Sequence, residues 1–168
     1  MPTGSTGGSD EILSLRAGVL LAPERVRVPL RAASKRDVLA ELVDVLVDSL
    51  SLAAERDEIL QAVLEREAVL STGIGGGVAL PHAKYDGLNG LVMAAGASRE
   101  PIEFEALDGQ PVRLFFLLLG PDSSAGAHVR ALSRVSRVVQ NPSLRRKLVE
   151  AADSEQFLRI LGEAERAV

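Results

Sequence analysis

The chain has 168 residues, a formal net charge of −4 and a sequence pI of about 5.3, with no cysteine and no tryptophan. Those numbers exclude disulfides and thiolate metal sites, and the acidic balance, with no basic stripe visible, argues against a nucleic-acid partner. The chain is long enough for one domain with a real core, and with four phenylalanines and one tyrosine that core must be mostly aliphatic.

Residues 1–11 read as a flexible tail, from their Gly, Ser and Thr content. They lack a basic region followed by an apolar run, so no secretory signal is expected. Residues 25–30 suit a short strand, and Pro29 favours an edge position. Ser34 is a good N-cap with Asp37 in the first turn; Val38, Leu39, Leu42, Val43, Leu46 and Leu50 then repeat at helical spacing to an end near Ser49 or Ser51. A second helix is expected over residues 54–67, with Arg66 on its last turn. Residues 71–77 hold four glycines in seven positions and are expected to form neither stable helix nor strand. Residues 78–80 form a short strand that delivers Pro81 and His82. A strand is expected over 91–97, then a loop or edge hairpin over 101–109 with a turn at Asp108-Gly109. The Glu103 and Glu105 pair reads as an exposed strand face.

Residues 112–119 are the best strand in the sequence. After Arg113 the run shows no alternation, so it belongs in the middle of a sheet covered on both faces. Its uninterrupted part, residues 114–119, is far too short to cross a bilayer, and no membrane insertion is expected. A polar loop follows over 120–126, composed as a mobile wall would be. A helix over 127–140 carries the apolar line His128, Leu132, Val135, Val139. Asn141-Pro142 breaks it, a short helix runs over 143–151, and Asp153 caps a last helix with Phe157, Leu158 and Leu161 inward. Strands alternating with helices predict an α/β domain: a mixed β-sheet flanked by helices on both sides.

The chemistry concentrates in residues 66–84, REAVLSTGIGGGVALPHAK. Phosphoryl transfer needs a nucleophile and neutralisation of the phosphoryl oxygens, and neutral imidazole is a competent nucleophile near pH 7. His82, stiffened by Pro81 and flanked by small residues, is the candidate. Arg66 offers planar donors that suit phosphoryl oxygens. Ser71 and Thr72 offer hydroxyls, and Gly75 and Gly77 belong to a loop whose backbone N–H groups can face an anion. Two roles are open to His128: donating to the phosphoryl group, or holding His82 in the useful tautomer. Lys84 adds local positive charge. The plainer readings stand beside these. A histidine on an apolar helix line is more often a satisfied core residue, Arg66 in a charged run can be simply solvated, and Asp86 and Asp108 are turn residues. The glycines fit neither a nucleotide P-loop nor a Rossmann fingerprint. Two histidines without a third placed ligand make no metal site.

The stretches STGIGGGVALPHAK and PIEFEALDGQPVRLFFLLLGP, followed by a histidine opening a helix, resemble the type 2 EIIA domains of the bacterial phosphoenolpyruvate-dependent sugar phosphotransferase system (PTS) and their nitrogen-regulatory relatives. The resemblance covers residues 12–164 as one domain. It implies a phosphotransferase/anion-transport-protein-like fold and His82 as the phosphorylated residue, through Nε2. It also implies His128 as the supporting histidine, Arg66 beside the site, and Thr72 with the glycine loop lining it. The implied phosphoryl donor is a histidine phosphocarrier of the HPr/NPr type, with no metal or organic cofactor and a cytoplasmic location. The carrier is expected to dock on a fairly apolar surface around His82, with acidic groups meeting its basic rim. A sugar-uptake EIIA passes phosphoryl to an EIIB cysteine. This cysteine-free chain, with no room for a fused EIIB, looks more like the nitrogen-regulatory branch, which binds regulatory target proteins according to phosphorylation state. The alternatives are a stand-alone fructose- or mannitol-type EIIA serving a separate EIIB, and a binding-only domain without phosphotransfer.

Overall fold

The computed structural model describes residues 16–168. The tail expected over residues 1–11, and residues 12–15 of the expected domain, lie outside the described residues. In chain order the elements are α1 (Ala17–Leu20), β1 (Val26–Arg27), α2 (Lys35–Leu50), α3 (Arg56–Val69), β2 (Gly73–Gly75), β3 (Val78–Ala79), β4 (His82–Lys84), β5 (Val92–Ile102), β6 (Val112–Gly120), α4 (Ala125–Val138), α5 (Pro142–Val149) and α6 (Ser154–Arg166).

The apolar run in β6 decides the architecture. All its residues but Arg113 are buried. Leu114, Phe116 and Leu118 enter one core with residues of α1, α4, α5 and α6. Phe115, Leu117 and Leu119 enter a second core with residues of α2 and α3. A strand with apolar side chains on both faces needs a helical layer on each, which gives a mixed sheet between two layers of helices. The strand order is β1-β5-β6-β3-β2, with β4 also on β6. The β5–β6 pair is antiparallel, whereas β3 and β4 lie one after the other, both parallel to β6, along its other side. β1 is an edge strand, as Pro29 implied, but shorter than expected.

Caps set most helix limits. Ser34 Oγ accepts from the Asp37 N–H at 3.2 Å, and Ser51 closes α2 in the left-handed conformation at φ 57°. Asn141 caps α5 and Asp153 caps α6. Glu165, 2 % exposed, accepts from the N–H groups of Ala17 and Gly18, both at 2.8 Å, and so ties α6 to the start of α1.

Four expectations are corrected. Gly73–Gly75 does form a strand, pairing antiparallel with β3 across a bulge. The partner β3 supplies the hydrogen bonds that the segment's own propensity does not secure. A Cβ at Gly73 would lie 2.6 Å from Ala106, and Gly75, Gly76 and Gly77 all take positive φ. Second, β5 runs on to Ile102, its register shifting between Ala97 and Ile102, so Pro101 sits within it. Third, Glu103 and Glu105 are exposed but follow the strand, on either side of the buried Phe104. The expected loop over 120–126 is a single turn over Asp122–Ser124 that runs straight into α4.

Candidate functional site

At the end of helix α3, Arg66 reaches forward to the C-cap: its Nη1 donates to the Leu70 carbonyl at 2.9 Å. The next residue, Glu67, points inward and is only 7 % exposed. Its carboxylate accepts from the Thr72 N–H at 3.0 Å and from the Thr72 hydroxyl at 2.5 Å, and it pairs with Lys35 Nζ at 3.0 Å. Ser71 Oγ donates to the Phe104 carbonyl at 3.0 Å and accepts from the Gly73 N–H at 3.2 Å. The chain leaving α3 is thus fastened before the glycines begin. Because Thr72 spends its hydroxyl proton on Glu67, it faces other groups as an acceptor.

Strand β3 and Pro81 then carry the chain to His82, where β4 pairs with β6 at Leu118. The Pro81 carbonyl accepts from the Leu118 N–H at 2.9 Å. His82 Nδ1 lies 2.9 Å from the Leu80 carbonyl. A carbonyl can only accept, so Nδ1 carries the proton and the neutral ring keeps its lone pair on Nε2. Burial pushes the His82 pKa below its ordinary 6.5; the Leu80 carbonyl opposes this, the Arg66 charge adds to it, and Glu67 opposes it.

Arg66, Ser71, Thr72 and His82 meet around one recess of about 480 Å³. Leu80 and Ile74 contribute apolar surface, and Leu132, Ser133, Ser136, Arg137 and Gln140 form the wall along α4 and its C-terminal end. Arg66 and Arg137 are the charged lining residues, and no carboxylate lines the recess. The acidic groups expected for a basic partner are therefore absent from the recess itself. Beside it, Val69 is 81 % exposed, Leu70 59 % and Ile74 39 %.

The other sequence candidates fall outside this lining. His128 lies in the first turn of α4, 5 % exposed, with Nε2 buried and without a hydrogen-bond partner. Its ring packs against Gly120: a Cβ on that glycine would stand 2.9 Å from Nε2. Burial lowers its pKa below 6.5; the nearby Gly120 carbonyl opposes this, and the His82 and Lys84 charges reinforce it. Gly75 turns toward Asp108, and Gly77 lies in a separate groove with Arg113 and Arg145. Lys84 pairs with Asp122 at 2.8 Å at the surface. Among the described residues no three His, Cys, Asp or Glu side chains gather as for a metal ion, and no helix is long and apolar enough to cross a membrane.

Sequence reasoning missed Glu67, Ser133, Ser136, Arg137 and Gln140. The last four had a readable signal, since positions 133, 136, 137 and 140 share one polar helix face. It also missed that residues 125–149 hold Arg130, Arg134, Arg137, Arg145, Arg146 and Lys147 without one acid.

The family model for "Phosphoenolpyruvate-dependent sugar phosphotransferase system, EIIA 2" matches residues 19–164. The chain is 36 % identical over 131 residues to the PTS system fructose-specific EIIA component of Haloferax volcanii, covering 78 % of this chain and 84 % of that one. It is 33 % identical over 143 residues to a nitrogen regulatory protein of Bradyrhizobium diazoefficiens, covering 84 % and 92 %. The fructose-specific EIIABC component of Bacillus subtilis is 32 % identical over 147 residues, and there the match spans 23 % of the relative's length. Among solved structures, the nitrogen regulatory protein IIA-Ntr of Neisseria meningitidis superposes with a TM-score of 0.79 at 31 % identity, covering 86 % of this chain and 97 % of that one.

Proposed function

The chain belongs to the EIIA type 2 family of the phosphoenolpyruvate-dependent phosphotransferase system, and from that premise we propose that it carries a phosphoryl group on Nε2 of His82. The observation that carries this reading is the Nδ1 contact with the Leu80 carbonyl, which leaves Nε2 as the ring's nucleophilic atom in a recess that also holds Arg66. The lowered pKa keeps the ring neutral near pH 7. The donor is a histidine phosphocarrier of the HPr/NPr type, docking over the exposed Val69, Leu70 and Ile74.

In the transfer, the Nε2–P bond forms as the carrier's N–P bond breaks. The carrier imidazole leaves with the electron pair of the broken bond. The His82 ring keeps its Nδ1 proton, and the Leu80 carbonyl faces the positive charge the ring gains. Arg66 meets negative charge on the phosphoryl oxygens, where a guanidinium held in place is most effective. His128, in the first turn of α4 and packed against Gly120, supports the phosphoryl group on His82.

The phosphorylation state then governs binding to a regulatory target protein. Relatives named nitrogen regulatory protein, matched over most of their length, support this branch. The second reading is a sugar-transport EIIA, favoured by the fructose-specific relative of Haloferax volcanii. With no cysteine in this chain, the acceptor cysteine would lie on a separate EIIB.

The test is intact mass and phosphorus NMR after incubation with phosphoenolpyruvate, enzyme I and a histidine phosphocarrier, for wild type and His82→Ala together. One acid-labile phosphoryl group, lost in the variant, is the expected result. Discharge onto an EIIB cysteine selects the sugar branch. No phosphorylation by HPr- or NPr-type carriers leaves a binding-only domain and overturns the reading.

A further inference from the structure

We propose that Arg137 is the second guanidinium of the phosphoryl site, reaching the phosphoryl oxygens on His82 from α4 as Arg66 does from α3. This rests on the phosphohistidine reading above and extends it to a residue outside the 66–84 segment.

A phosphoryl group carries about −1.5 to −2 near neutral pH. Arg66 and Arg137 are the lining groups with permanent charge, and no carboxylate shares the recess to compensate them. Arg66 offers the phosphoryl oxygens one guanidinium, and Arg137 offers a second from the opposite wall.

Arg66 already spends Nη1 on the Leu70 carbonyl. The Arg137 side chain enters no hydrogen bond or ion pair among the described residues, so its whole planar fork is open. It stands at the ridge between this recess and a neighbouring groove that includes Glu163, and it pairs with nothing in either. Ser133, Ser136 and Gln140 share its face, so the wall opposite α3 is a row of hydrogen-bonding groups around one cation. Arg137 forms no bond to phosphorus. It stabilises the phosphoryl oxygens once the Nε2–P bond exists and while it forms.

The experiment measures the equilibrium of phosphoryl between a histidine phosphocarrier and this chain by intact mass, with the rate of spontaneous hydrolysis of the charged chain. The variants are Arg137→Gln, Arg137→Lys and, as a control for general surface charge, Arg146→Gln. Thermal unfolding confirms that each is folded. Arg137→Gln should shift the equilibrium toward the carrier about tenfold, and Arg137→Lys should recover part of the loss, as a point charge without the fork. Arg146→Gln should stay within about twofold of wild type, because its charge is exposed and screened. Wild-type equilibrium and hydrolysis in Arg137→Gln overturn this proposal alone. A wild type that takes no phosphoryl group on His82 overturns the function proposed above, and this inference with it.

Discussion

At the scale of single residues, the two histidines give the chain a definite pH response. Burial lowers both pKa values from 6.5, so in the folded protein the neutral forms are favoured. The unfolded chain, with ordinary histidines, binds more protons than the folded one just below pH 6.5, and there stability rises with pH. The contribution is complete above about pH 6.5 and is lost as pH falls toward the folded values. Thermal midpoints should therefore fall between about pH 7 and pH 5, and the double change His82→Gln with His128→Gln should flatten that slope. An unchanged slope would show that the two rings are not the groups responsible. Gly120 is the second residue-scale case. A Cβ there would stand 2.5 Å from Leu91 Cδ2 and 2.9 Å from Nε2 of His128, which is only 5 % exposed, so the contact cannot form without a shift. Gly120→Ala should cost about 1–3 kcal/mol by urea unfolding and slow phosphoryl acceptance by displacing the His128 ring. Wild-type stability and acceptance together would contradict this.

At the scale of elements, the turn from α3 into β2 depends on one buried carboxylate. Glu67 holds both the N–H and the hydroxyl of Thr72 and is itself held by Lys35, which lies 4.7 Å over the Phe104 ring. Glu67→Ala orphans both Thr72 donors and leaves Lys35 with only the exposed Glu105, 4.0 Å away, and should cost about 2–3 kcal/mol, measured by denaturant unfolding. Hydrogen exchange at the Thr72 amide should accelerate beyond what the global loss explains. Protection unchanged there would mean that the turn stands without Glu67. The N-cap of α5 gives a milder case: Asn141 accepts from the Ser143 and Leu144 N–H groups, and Asn141→Ala should cost about 1 kcal/mol without touching the recess.

For the whole molecule, β6 is the shared wall of two cores. Phe115 packs near Phe104 on one face and Phe116 near Phe157 on the other, with ring centroids 5.6 Å and 6.1 Å apart. Phe115→Ala and Phe116→Ala should each cost about 3–5 kcal/mol. Because one strand serves both cores, neither can melt and leave the other intact. The fluorescence of Tyr85, which packs against the α2–α3 core, should then report the same transition as far-UV circular dichroism in both variants. Two separated transitions would show that the cores unfold independently.

The sequence by itself determined the helices from α2 to α6 and the central strand, but not α1. Caps at Ser34, Asn141 and Asp153 and the apolar periods after them are local signals, and β6 announces burial on both faces because no polar residue interrupts it. It also pointed to His82 and Arg66, whose types and spacing resemble a known segment. The tertiary structure alone decided what depends on contacts distant in the chain. Gly73–Gly75 is a strand only because β3 lies beside it, and Glu67 is buried only because Lys35 arrives from α2 to meet it. The α4 wall with Arg137 faces His82 only because α4 returns across the sheet after β6. Helix periodicity is fixed by neighbours three and four residues apart, so a sequence displays it directly. A recess is fixed by which elements pack together, and no local pattern encodes that.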